Sequence, residues 1–296
     1  MSIASSLELV IACCRAGIVG AYQGANPRGS DEFRRWLIEL EAAKRLAQAE
    51  GRGFAPYAVN LSVARDDSTL RERLEICEQF AVPLLITSVG DPAAVIERAR
   101  SWGGMVFHGV STIDYARKAA TAGAHGVMLC CAGAGGHAGT LSPFAFVPQV
   151  RAFYDGIIVV AGGIADGAGM AAAIALGADL VAMGTRFIAA RESGVAEPYK
   201  AMLVEAETAD CIYTDAIAGI PANFLRPSIE AAGLDPGNLP RPRERRPDLP
   251  DGIRAWRDVW SAGHSVGLIA DISSVAGIVA WLEADYAAAC ARLEES

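Results

Sequence analysis

The chain has 296 residues, 52% apolar and 20% charged, with 26 lysines and arginines against 34 acids and a net charge of −8. A chain of this length buries about three quarters of its unfolded surface, which fits one large domain or one domain carrying an insertion and excludes global disorder. The acidic balance excludes nucleic-acid binding through a basic face.

The first predicted element is a helix. Ser5 and Glu8 have the spacing of a capping box, and Leu7, Val10, Ile11 and Cys14 follow as one helical stripe. Short apolar or β-branched runs then predict seven strands, at residues 17–21, 57–61, 83–86, 105–107, 126–129, 157–161 and 180–183. Between them lie segments of helical period, such as Leu74, Cys77 and Glu78, or Ala93, Ile96 and Ala99. This βα alternation implies a parallel sheet, and spacings of about 20 to 30 residues match one crossover unit. The predicted fold class is α/β, a (β/α)8 TIM barrel lacking its first strand.

Residues 119–150 carry no formal charge and are numerous enough to cross a bilayer, yet six glycines, Pro143, Pro148 and two histidines interrupt them. They read as strand plus loop, so no membrane partner is expected. No basic segment precedes an apolar one at the amino end, and no signal peptide is expected. Seven cysteines, Cys13, Cys14, Cys77, Cys130, Cys131, Cys211 and Cys290, form neither an even disulfide framework nor zinc-ligand spacing, which points to a reducing cytoplasm and no metal.

After Arg191 the pattern changes. Eight of the fourteen prolines lie between there and Ser261, which excludes a long uninterrupted helix between Asn223 and Asp251. The expected organisation is a barrel domain of residues 1–192 plus 261–296, with 193–260 as an insertion or lid. Helical period returns in residues 274–293, where Val275, Ile278, Val279 and Leu282 make a stripe that can pack on the barrel.

Two constellations carry chemistry. One strand ends at Gly162 and Gly163, Asp166 can cap the next helix, and the following strand ends at Gly184 and Thr185. Glycine-exposed N–H groups at neighbouring strand ends attract an anion, and a phosphate site is the direct inference; tight turns alone are the alternative reading. The second is CCAGAGGHAGT, residues 130–140, where Gly133, Gly135, Gly136 and Gly139 surround His137 at a strand's carboxyl end. An imidazole there can exchange a proton with a carbon acid. Asn60, His108, Thr87 and Ser88 also fall at strand ends. Asn60 can face a polar ring edge or serve as a turn residue, and His108 can orient substrate or support a neighbour. His125, at a strand start, reads as structural. His264, in WSAGHSVG, either lines the mouth of the site or returns the chain to the barrel. Arg241, Arg243, Arg245 and Arg246 read as a solvated face.

With these residues in view the chain resembles the nitronate monooxygenase family. The resemblance covers nearly the whole length: ELVIACCRAGIVGA, VNLSV around Asn60, FHGVST around His108, GAGGHAGT around His137, AGGIADGAGMAAAIALGADLVAMGTRF, and WSAGHSVGLI. It implies an FMN-dependent barrel that oxidises alkyl nitronates with dioxygen to a carbonyl compound and nitrite. It places the catalytic base on His137, the flavin phosphate on Gly162, Gly163, Gly184 and Thr185, and Asn60 against the flavin ring. Gly135, Gly136 and Met183 complete the expected cofactor set, and His108, Ser88 and His264 the expected substrate lining. The expected partners are a small-molecule substrate and dioxygen, with a homodimer left open.

The sequence departs from the family at its start. Members begin with a strand ending in Ala-Pro-Met, and Met1 aligns with that methionine, so translation from an upstream start or a true truncation is expected. The rival readings are an FMN-dependent NAD(P)H reductase of the same architecture, a non-redox phosphate-binding barrel, and a flavin-free remnant.

Overall fold

The computed structural model describes residues 1, 3–64, 68–240, 242 and 247–295. The arginine cluster at 241–246 lies outside the described residues. Helix α1 (Leu7–Arg15) starts one residue later than expected, because Ser6 is the N-cap and its Oγ accepts from Leu9 N at 3.1 Å. Ser5 Oγ instead donates to Met1 O at 2.8 Å and accepts from Asn26 Nδ2 at 3.0 Å, so the Ser5–Glu8 box does not form. The helix closes in a Schellman arrangement: Gly17 N–H donates to Cys14 O at 3.3 Å and Ile18 N–H to Cys13 O at 3.1 Å. Gly17 and Ile18 thus belong to the helix stop, which displaces the first strand, β1 (Gly20–Gln23), beyond its predicted start.

The remaining predicted strands are all present: β2 (Tyr57–Val63), β3 (Leu84–Gly90), β4 (Met105–Val110), β5 (Gly126–Cys130), β7 (Ile157–Ala161) and β8 (Leu180–Ala182). With β1 they form one parallel seven-stranded sheet in the order β1-β2-β3-β4-β5-β7-β8. The predicted α/β class and curled parallel sheet are therefore borne out, and β1 and β8 are the sheet's two edges. Helices α2 (Gly29–Ala49), α3 (Ser68–Gln79), α4 (Ala93–Arg100), α5 (Ile113–Thr121), α6 (Pro143–Arg151) and α7 (Gly167–Ala175) connect successive strands. Strand residues alternate between two cores. Val59, Leu85, Val106, Val127 and Ile158 pack outward against the helices, with Phe33 of α2 and Phe146 of α6 in the same cluster. Ala58, Leu84, Ile86, Phe107 and Val159 pack inward on one another.

Asp166 caps α7 as expected, its Oδ1 accepting from Gly169 N at 2.7 Å. The last helix, α11 (Val275–Glu294), follows α8 (Thr185–Ile188), α9 (Glu197–Glu205) and α10 (Arg226–Ala231). Its predicted stripe, Val275, Ile278, Val279 and Leu282, is buried against Leu9 and Cys13 of α1. Each such aliphatic side chain contributes about 1.5–3 kcal/mol on burial. Between Asn223 and Asp251 the only helix among the described residues is the six-residue α10, as the prolines require.

One element pair was not expected. A two-residue strand, β6 (Gly136–His137), leaves the parallel sheet and pairs antiparallel with β10 (Ala222–Leu225), which also pairs with β9 (Cys211–Thr214). Residues past the barrel strands thereby join the loop that carries the candidate base. Among the described residues no helix is long and apolar enough to cross a membrane.

Candidate active site

The carboxyl ends of β2, β3, β5, β7 and β8 face one end of the sheet, where side chains from several strands can meet one ligand. Asn60 shares the inner face with Ala58, and its Oδ1 is buried without a hydrogen-bond partner. A buried unpaired acceptor costs about 1–3 kcal/mol, so it marks a place where a donor belongs. Gln23 pairs in register with Asn60 and lies on the same inner face, a site residue the sequence reading missed because it ended the strand at residue 21. Ser88 shares the inner face with Leu84 and Ile86, at the end of β3 where the register shifts and Val89 is forced to φ 57°.

His108 lies elsewhere. By alternation it shares the helix side with Val106 and Val110, is 6% exposed, and has Nδ1 2.8 Å from Thr87 Oγ1. Burial lowers its pKa, favouring the neutral ring. This geometry suits the supporting role better than direct substrate contact. His125 ties two strands, its Nδ1 accepting from Val106 N at 3.1 Å, in keeping with a structural role.

His137 sits on β6, paired opposite Ala222, while Gly136 pairs with Asn223. Gly136 N donates to Ser261 Oγ at 2.8 Å, and Asn223 Nδ2 donates to Ala134 O at 2.8 Å. The imidazole keeps solvent access on one side and meets Trp256 edge-on, with centroids 5.5 Å apart and planes at 82°. Partial burial pushes its pKa down. A lowered pKa leaves the ring neutral near pH 7, the form in which it can accept a proton. Cys130, at the end of β5, is unsuited to nucleophilic work because burial raises its thiol pKa to about 11.

The segment at Trp260 docks on the same loop. His264 N donates to Gly133 O at 2.9 Å, and its ring lies where a side chain on Gly133 would go, within 2.8 Å. Gly263 N donates to Thr185 Oγ1 at 2.9 Å. His264 is exposed and braces the His137 loop from behind.

The two glycine-ended turns remain accessible. Gly163 has φ 74° and open space where a Cβ would stand; at Gly184 only the Met1 side chain comes near, at 3.6 Å. Among the described residues, the N–H groups of Gly163 and Gly184 have no protein acceptor. The α7 N-terminus does not share this freedom, since Asp166 and Asp285 already accept from Gly169 N and Gly167 N. Met183 packs its side chain outward with Phe187 and α11, leaving its backbone alone to meet a ligand. An unpaired amide on the inner face and free N–H groups at two adjacent turns fit a planar polar ring with an anionic tail. Among the described residues no cluster of His, Cys, Asp and Glu could hold a metal ion.

Comparisons with known proteins bear on the family and the fold. A family model described as nitronate monooxygenase matches residues 32–233. A "(3aS,4S,5R,7aS)-5-hydroxy-7a-methyl-1-oxo-octahydro-1H-indene-4-carboxyl-CoA dehydrogenase" of Rhodococcus jostii is 29% identical over 68% of this chain and 56% of its own length. A "probable nitronate monooxygenase" of Staphylococcus saprophyticus is 27% identical over 74% of this chain and 71% of its own length. The chain thus spans little more than half of the dehydrogenase relative. The solved structure of FabK from Thermotoga maritima superposes with a TM-score of 0.79 at 28% identity, covering 100% of this chain and 93% of that one.

Proposed function

The chain belongs to the nitronate monooxygenase family, and from that premise we propose that it is a flavin-dependent oxidoreductase that converts alkyl nitronates with dioxygen to a carbonyl compound and nitrite. The observation that carries this reading is that the loop bearing His137 and the free N–H groups of Gly163 and Gly184 follow the carboxyl ends of β5, β7 and β8, in a sheet whose inner face carries the unpaired Asn60 Oδ1 midway along β2.

FMN would be held by parts that suit its two ends. The N–H groups of Gly163 and Gly184 would donate to the phosphate, as would the hydroxyl hydrogen of Thr185, whose Oγ1 already accepts from Gly263 N. Asn60 Oδ1 would accept from a ring N–H. When bound, FMN supplies the redox chemistry between the substrate carbon and dioxygen.

His137 manages the proton. Its neutral ring takes the α-proton of a nitroalkane, and the resulting imidazolium stabilises the nitronate anion beside it. A preformed nitronate bypasses the first step. The hydrogen bond from Gly136 N to Ser261 Oγ and the pairing of β6 with β10 hold the imidazole in place for this transfer.

The test is direct. A purified sample is expected to be yellow with a flavin spectrum and to release nitrite from a nitronate in air. His137→Asn is expected to abolish turnover of the neutral nitroalkane and spare that of the nitronate; equal loss on both contradicts the base role. The second reading is an NAD(P)H-dependent flavin reductase of the same architecture, which the glycine block and the Gly135-Gly136-His137 loop also suit. Rapid anaerobic bleaching of the flavin by NADH would favour that reading, and its absence the oxygenase.

A further inference from the structure

Trp256 has φ 70°, a left-handed conformation that costs a non-glycine residue about 1–3 kcal/mol and persists only where neighbouring contacts over-determine it. The turn around it is tied internally: Trp256 N donates to Val259 O at 3.0 Å, Arg254 N to Asp258 Oδ2 at 2.8 Å, and Arg257 Nη2 to Asp258 Oδ2 at 2.7 Å. These bonds give the turn its shape but do not aim it.

The aim comes from the indole. It stacks on buried Phe224 of β10 at 4.8 Å and 30°, and meets the His137 ring at 5.5 Å. Both separations fall in the range where ring pairs gain about 0.5–1.5 kcal/mol beyond area burial. Phe224 directly follows Asn223, whose partner in register is Gly136. One strand pair therefore sets the position of both the imidazole and the indole. Trp256 is half-buried on the cluster of Ile217, Ala222 and Phe224, and it is held there in a strained backbone conformation. Part of its surface is left open, and its ring stands 5.5 Å from the imidazole.

We propose that Trp256 is a specificity-determining residue: its indole walls the substrate side of His137 and receives the apolar chain of the substrate, so that the site prefers a straight-chain alkyl group to a small one. The proposal rests on His137 acting at the substrate carbon. A flat indole offers contact to an unbranched chain along its length, and each methylene moved from water onto it tightens binding by about fourfold when fully covered.

Straight-chain carboxylates share the planar anionic head of a nitronate and do not react, so binding can be read without turnover. Calorimetric titration of the purified protein with butyrate, hexanoate and octanoate is expected to show affinity rising along the series. Trp256→Ala is expected to flatten the series to within about twofold, and Trp256→Phe, with a smaller face, to give a shallower slope than the native protein. A flat series in the native protein, or a native slope in either variant, overturns the proposal. Should Trp256→Ala fail to fold, the Phe variant alone decides. Nitrite release is scored separately: no nitrite with a slope that depends on Trp256 keeps the wall and removes nitronate as the substrate. Nitrite with an unchanged slope removes the wall and keeps the nitronate reading.

Discussion

Two glycine-rich stretches of this protein look alike in composition and are used in opposite ways. In the His137 loop, a Cβ added to Gly135 would stand 2.8 Å from Gly263 N and 3.3 Å from Thr185 Oγ1, so the backbone of another segment fills the space. In the turn after β7, a Cβ on Gly163 would meet nothing within 4 Å. The first glycine lets protein come close; the second leaves room for something that is not protein. The loop that must hold an imidazole in register is clamped at Gly135, and the turn assigned to an anion is left open at Gly163, whereas a Cβ on Gly162 would stand 2.9 Å from Ala134 N.

The largest expected effect separates the two by function. His137→Asn should lower turnover of a neutral nitroalkane by on the order of 10²–10⁴ while flavin content, read from absorbance, stays at the native level. Loss of flavin together with activity would mean that the clamped loop also holds the cofactor and would blur the contrast. Next comes Gly135→Ala, which forces apart Gly263 and Thr185 and should cost about 1–3 kcal/mol of stability, seen as a lower melting temperature.

Gly163→Ala should reverse the balance. Its positive φ costs about 1 kcal/mol of stability, but the altered turn should weaken retention of added FMN measurably, by equilibrium dialysis. Equal effects of the two alanine substitutions on FMN would break the comparison. The smallest effect is in the pH profile. Because burial lowers the His137 pKa, the base form persists below pH about 6.5, and nitroalkane turnover should fall only as pH drops through that lowered pKa. An acid limb at the ordinary imidazole value would show the ring to be solvated, and one above it would show an anionic neighbour at the ring.

Much of the parallel sheet could be read directly. Ile157–Ala161 is a continuous apolar run buried on both faces, and such a run has few alternatives to a central strand. The stripe from Val275 to Leu282 was legible for the same reason, since its period is local to one helix. The start of β1 was not, because the Schellman turn at Gly17 and Ile18 and the strand beyond it are both apolar and differ only in backbone angles. Two serines stand side by side before α1, and a long-range bond from Asn26 decides which one caps it.

In the site, His137 and the glycine turns stood out because their chemistry is carried by residue type. Trp256, Gln23 and the β6–β10 pair did not. Trp256 reaches His137 across more than a hundred residues of chain, and nothing in its neighbours, Ala255 and Arg257, distinguishes it from a buried anchor. Met183 was legible as a position but not as a direction: strand alternation turns its side chain away from the ligand and leaves its backbone in place.

The hydrogen bond from Gly167 N to Asp285 Oδ2 joins residues 118 apart, and the backbone of α11 abuts Gly167 so closely that a Cβ there would lie 2.0 Å from Tyr286 N. A ribosome delivers the amino end first. The segment that follows the Gly162–Gly163 turn is therefore held by a helix more than a hundred residues downstream, and it reaches its final packing only once that helix has been synthesised.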